Sequence, residues 1–97
     1  MDLSFTKVEG RLLDVPRSVM YLNLEGNKFI TVDLANVPYS LSSLNLSGCE
    51  QATGNLKALR GVPLTSLSLW NCRRLLGNLS VFQGLALTVS VGIQELR

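Results

Sequence analysis

Histidine is absent from this 97-residue chain. That removes the side chain most often used as a general base and as a transition-metal ligand. Cysteine occurs only twice, at Cys49 and Cys72. Two thiols with no histidine beside them fall short of a four-ligand zinc site. Charged residues make up 16% and aromatics 6%, with a net charge of +2. A nucleic-acid footprint needs a clustered basic patch with stacking aromatics. Here Lys57, Arg60, Arg73 and Arg74 are mixed with Glu50 and have no aromatic partners in series. No apolar run approaches the roughly 18 residues needed to cross a bilayer. Residues 1–7 lack the basic start and apolar stretch of a signal peptide, so a soluble chain is expected. No glycine-rich phosphate loop is present, and Asp2, Glu9, Asp14, Glu25, Asp33, Glu50 and Glu95 form no spaced acid–base pair. The expectation is a non-enzymatic chain with no cofactor, no metal, no nucleic-acid partner and no direct membrane insertion. Its compartment is left open.

What the chain does contain is leucine at a fixed step. Leu41-Ser-Ser-Leu44-Asn-Leu46 returns 23 residues later as Leu64-Thr-Ser-Leu67-Ser-Leu69. Val19-Met-Tyr-Leu22-Asn-Leu24 precedes it with an offset of 22. The match extends past the leucines. Asn27, Cys49 and Cys72 form one column, Ile30, Ala52 and Leu75 the next, then Leu34, Leu56 and Leu79, then Val37, Leu59 and Phe82. Phrases recur too: Gly54-Asn-Leu56 returns as Gly77-Asn-Leu79. The reading is one domain, 1–97, with complete coils at 19–40, 41–63 and 64–86. A partial coil at 1–18 has Leu3 at its last strand position, Thr6 in the Asn/Cys column and Val8 in the core. A second partial coil at 87–97 places Val89 and Val91 at strand positions.

The LxxLxL pattern with Asn or Cys three residues on resembles the leucine-rich repeat family over essentially the whole chain. The stretch from Asn27 to Leu46 looks like the NxFTGTVDLTxLPxSLxxLxL form common in repeat proteins of protists, with a deletion at Phe29-Ile30-Thr31. The later coils look like a cysteine-bearing variant, and Gly-x-Leu is similar to the LxGxI of plant-type repeats, which carry an extra convex strand. The resemblance implies an α/β-class solenoid that is predominantly β. It would be a right-handed curved coil with a parallel concave sheet and extended or 3₁₀ convex segments. A single repeat cannot bury its own apolar face, so stacked neighbours share one core. Strands are expected at roughly 20–24, 42–46 and 65–69, with their leucines inward and the alternate positions outward. Pro16, Pro38, Pro63, Gly61 and Gly84 lie in the return path and argue against long helices there. The resemblance further implies binding of a protein or peptide on the concave face. Family members serve as receptors, ubiquitin-ligase substrate adaptors and surface antigens, and none of those roles has its own motif here.

Outward candidates for that face are Tyr21, Asn23, Glu25, Asn45, Ser47, Ser68, Trp70 and Asn71. Trp70 directly follows Leu69. It serves either as a ligand anchor, with Tyr21 two columns away, or as a cover lying on its own coil's edge; tryptophan and tyrosine are the usual interface anchors. The middle coil presents small neutral residues, which suits the alternative of a structural spacer in a larger array with no ligand of its own. Cys49 and Cys72 on adjacent coils stand about 5 Å apart, within disulfide range. Their side chains run side by side inward, however, so buried free thiols are expected. Lys28, Glu50 and Arg73 form a column of alternating sign whose neighbours are expected to meet across coils as register support. The sequons Asn45-Leu-Ser47 and Asn78-Leu-Ser80 are read as chance. Leu3, Val8 and Leu12 at one end, and Leu87, Val89, Val91 and Ile93 at the other, continue the apolar pattern without a polar cap. That predicts a part of a longer array, with end-to-end self-association or a fraying tail when isolated.

Overall fold

The computed structural model describes residues 2, 10–11, 16–28, 30–85 and 87–90. Among the described residues eight short strands follow in chain order: β1 (Gly10–Arg11), β2 (Tyr21–Asn23), β3 (Ile30–Asp33), β4 (Ser43–Asn45), β5 (Ala52–Asn55), β6 (Ser66–Ser68), β7 (Leu75–Leu76) and β8 (Thr88–Ser90). They form two parallel sheets, β1-β3-β5-β7 and β2-β4-β6-β8. Each repeat of the sequence therefore contributes alternately to one sheet and then to the other.

The second of these sheets is built from the LxxLxL segments. Leu22 lies opposite Leu44, Leu44 opposite Leu67, and Leu67 opposite Val89. This is the register the sequence repeat implies, including the strand position expected for Val89. The strands are one residue shorter at each end than expected, yet the hydrogen-bond ladder continues beyond them. The Ser42 amide donates to the Met20 carbonyl at 2.7 Å, Leu24 to Asn45 at 2.8 Å, and Gly26 to Ser47 at 2.8 Å. Alternation along a strand sends every second side chain to one face. Leu22, Leu24, Leu44, Leu46, Leu67 and Leu69 are accordingly buried to within 1% of completely. They join Ile30, Val32, Leu34, Leu56 and Leu59 in one core.

The other sheet pairs with a different offset. Ile30 stands opposite Gly10, Val32 opposite Ala52, and Gly54 opposite Leu75. These partners sit two residues away from the columns that the sequence repeat defines. A slip of two preserves the inward and outward alternation. That is why Ile30, Val32 and Ala52 all remain in the core.

A 3₁₀ turn follows β3 (Leu34–Asn36), β5 (Leu56–Leu59) and β7 (Leu79–Phe82), and no α-helix occurs among the described residues. Asp33, Asn55 and Asn78 precede these turns. Each side-chain oxygen accepts from the amide two residues on, at 3.0, 3.0 and 2.9 Å. Such capping occupies an amide that a short helix leaves without a partner. It also gives Asn78, the first residue of a sequon, a structural task.

Gly54 and Gly77 sit against the preceding unit's cap. A Cβ on Gly77 would lie 2.8 Å from Asn55 Oδ1 and 3.2 Å from the Leu56 amide nitrogen, and Gly77 has φ +110°. The recurring Gly-Asn-Leu phrase thus combines a close approach that excludes a side chain with a cap; its leucine is in the core at Leu56 but exposed at Leu79, where the repeat column points inward.

Cys49 and Cys72 are free and fully buried, as expected from their column. Cys49 Sγ donates to the Leu24 carbonyl at 3.0 Å, and Cys72 Sγ donates to the Leu46 carbonyl at 2.9 Å. Each thiol is therefore tied to the preceding unit. Leu3, Thr6, Val8, Leu12, Val91 and Ile93 lie outside the described residues.

Candidate functional site

The outward side chains of β4 and β6, together with the turns after β2, β4 and β6, line one groove. Glu25, Asn45, Ser47, Ser68, Trp70 and Asn71 surround it, with Gly26 and Gly48 at its margin, and it has a volume of about 480 Å³. Six of the eight residues expected to bind are brought together there. Tyr21 and Asn23 are not in its lining, but they join it through hydrogen bonds.

Those bonds form a continuous strip. Asn23 Nδ2 donates to the Tyr21 hydroxyl at 3.3 Å, and Asn23 Oδ1 accepts from the Glu25 amide at 3.0 Å. Asn45 Nδ2 donates to Glu25 Oε1 at 3.4 Å, and Asn45 Oδ1 accepts from the Ser47 amide at 3.0 Å. The Ser47 and Ser68 hydroxyls are 2.6 Å apart. Asn23 and Asn45 occupy the same column and use the same oxygen in the same way. Each holds the turn that leaves its strand, which fixes its amide orientation.

The column Glu25, Ser47, Trp70 shapes the groove. Trp70 is 46% exposed, and Tyr21 is 45% exposed. Ser47 was expected to face outward, but it is buried, with only 8% of its surface accessible. Its side chain is short and is held down on Ser68, so a low floor lies between two tall neighbours. Adjacent strands are about 4.8 Å apart, which sets Glu25 and Trp70 roughly 10 Å apart at the backbone.

Asn71 is exposed, as its sequence reading expects. It occupies a turn after the strand, with φ +58°. Gly26 and Gly48 hold the equivalent place, with φ +73° and +78°. Asparagine is the residue other than glycine that most readily tolerates this left-handed conformation. Asn71 is therefore a turn residue at the groove's margin.

A second groove lies on the other side of this glycine–asparagine ridge. Lys28, Glu50, Gln51, Arg73 and Arg74 line it, and it shares Gly26, Gly48 and Asn71 with the first. Arg74 Nη1 donates to Gln51 Oε1 at 3.2 Å. The expected meeting of Lys28, Glu50 and Arg73 in pairs is not found: among the described residues these three side chains make no ion pair. They are arrayed along the groove instead. Sequence reasoning placed this column as register support and missed it as a surface. The available signal was its position directly beyond the Gly26, Gly48 and Asn71 turns.

Burial pushes the Cys49 thiol up to about 11 and the Cys72 thiol up to about 12, from 9.0, with the neighbouring Cys49 adding to the effect at Cys72. Thiols held this way are poor nucleophiles. Among the described residues no group of three or more histidine, cysteine, aspartate or glutamate side chains could hold a metal ion, and no helix is long and apolar enough to cross a membrane. Comparison with models of protein families, with curated proteins and with solved structures finds no match for this chain.

Proposed function

We propose that this chain is a stretch of leucine-rich-repeat solenoid whose β2-β4-β6 face binds an extended peptide or a protein segment. The binding is non-covalent and the role is not catalytic. The observation that carries the reading is the half-exposed Trp70 beside the low floor formed by the buried Ser47 and its neighbour Ser68. Large, half-exposed aromatics beside a pocket are the residues on which interfaces concentrate their affinity. The polar strip from Tyr21 to Ser68 supports the same reading. Its side chains are already hydrogen-bonded to one another or to the backbone, so little rotamer entropy is lost when a partner docks.

Trp70 is the single tryptophan, so its emission reports occupancy of this groove directly. Random peptides selected on the folded chain, with counter-selection on Trp70→Ala, should yield sequences that change this emission. Their affinity should fall on Trp70→Ala by about 2 kcal/mol or more. The variant should melt at the same temperature as the parent. A variant that melts earlier and still binds the selected peptides would make Trp70 a packing residue and remove the support for this site.

A further inference from the structure

The two grooves differ in charge, and that difference says what kind of peptide fits them. In the first, the only ionised group among the described residues is the Glu25 carboxylate, which shares the groove with Trp70 and the low Ser47 floor. Glu25 Oε1 accepts one long bond from Asn45, at 3.4 Å, and Glu25 has no other side-chain partner among the described residues. Trp70 lines the same groove and is half exposed. A carboxylate on one wall and an indole on the other, roughly 10 Å apart at the backbone, leave room for one long cationic side chain. A lysine or arginine there gains a carboxylate partner and a cation–π contact together.

Across the ridge the balance reverses. Lys28, Arg73 and Arg74 line the second groove against a single carboxylate, Glu50. Arg74 is engaged by Gln51, while Lys28 and Arg73 make no hydrogen bond or ion pair among the described residues. Two unengaged cations favour an acidic side chain. The ridge between the grooves is low at Gly26 and Gly48, which carry no side chain, so an extended chain can cross it there.

Resting on the peptide-binding reading above, we infer that the partner is a peptide of mixed charge. It carries a lysine or arginine that enters between Glu25 and Trp70. Within a few residues it carries an aspartate or glutamate that lies against Arg73 and Lys28. The two charge contacts select the sequence and its direction across the ridge, and the aromatic contact supplies affinity.

The test uses the peptides selected on the folded chain. The selected pool should be enriched in sequences that place a basic residue and an acidic residue a few positions apart. For one such peptide, replacing its lysine by methionine should weaken binding about fivefold, and replacing its glutamate by glutamine should do the same, as expected of exposed charge pairs. Glu25→Gln should erase the advantage of lysine over methionine and leave that of glutamate over glutamine. Arg73→Gln should do the reverse, and both advantages should shrink as salt is raised. Selected peptides that bind through Trp70 but show no charge pairing, or whose charge preferences ignore Glu25 and Arg73, overturn this inference and leave the peptide-binding reading standing. A selection that returns no Trp70-dependent binder overturns both.

Discussion

Gly77→Ala should be one of the most damaging single-methyl additions in this chain, and the geometry sets its size. Gly77 has φ +110°, where an L-residue is strained, and the added Cβ would lie 2.8 Å from Asn55 Oδ1. That oxygen caps the Leu56–Leu59 turn by accepting from the Lys57 amide at 3.0 Å. Backbone strain of this kind costs about 1–3 kcal/mol, and loss of a cap adds about 1 kcal/mol. The sum, about 2–4 kcal/mol, is a large fraction of the stability of a small domain, about 5–15 kcal/mol. Gly84 provides the control, because it has φ +85° and no atom within 4 Å of the place an added Cβ would take. Gly84→Ala should show the strain alone, so its urea midpoint should fall less. Combining Gly77→Ala with Asn55→Ala should cost less than the two separate changes together, since the side-chain amide that the methyl strikes is then gone. Equal losses for Gly77→Ala and Gly84→Ala, with Asn55→Ala strictly additive, would refute the contact argument.

Other expectations concern the core and the thiols. Leu44→Ala, at a side chain 1% exposed in the central LxxLxL strand, should cost about 2–5 kcal/mol in urea unfolding. A loss below about 1 kcal/mol would mean that the leucine ladder does not form the core. Cys49 and Cys72 have folded pKa values raised to about 11 and about 12 from 9.0. Their burial as neutral thiols therefore contributes stability that is fully present below pH 9 and is lost as pH rises through the folded values. Between pH 7.5 and pH 10.5 the urea midpoint should fall for the parent and fall less for the Cys49→Ala, Cys72→Ala double variant. A thiol reagent at neutral pH should modify both cysteines only as fast as the chain opens, and rapid labelling of the folded chain would contradict their burial.

The alternation Leu22-Asn23-Leu24, repeated at Leu44 and Leu67, made one sheet legible from sequence. A strand with leucine on every second residue has only one way to hide its apolar face. Ile30 was legible as a member of an apolar column, whereas Val32 lies in no repeat column and was not. Alternation could not supply the two-residue slip of β3 against β5, because it is unchanged by a shift of two and the repeat columns point to a different partner. The Asp33, Asn55 and Asn78 caps were visible as a column of short polar residues before a leucine, but the column acquires its meaning only once a 3₁₀ turn follows it. At the groove, Trp70 and Glu25 lie where their column placed them. Ser47 is not the outward residue its column implied, since pattern alone does not register a short hydroxyl bonded to its neighbour on the next strand, and the turn at Asn71, with φ +58°, was equally invisible in it. The Lys28, Glu50, Arg73 column was legible as charge. Its separation into a groove of its own depends on the glycine ridge, a matter of backbone conformation.

Backbone amide mapping is the most direct test of the proposed binding face. A ¹⁵N-labelled sample titrated with a selected peptide of mixed charge should show shifts concentrated in 25–28, 45–51 and 68–74, the segments that line the two grooves and the ridge between them. Shifts confined instead to the 3₁₀ turns Leu34–Asn36, Leu56–Leu59 and Leu79–Phe82 would place the ligand on the opposite sheet and contradict the account.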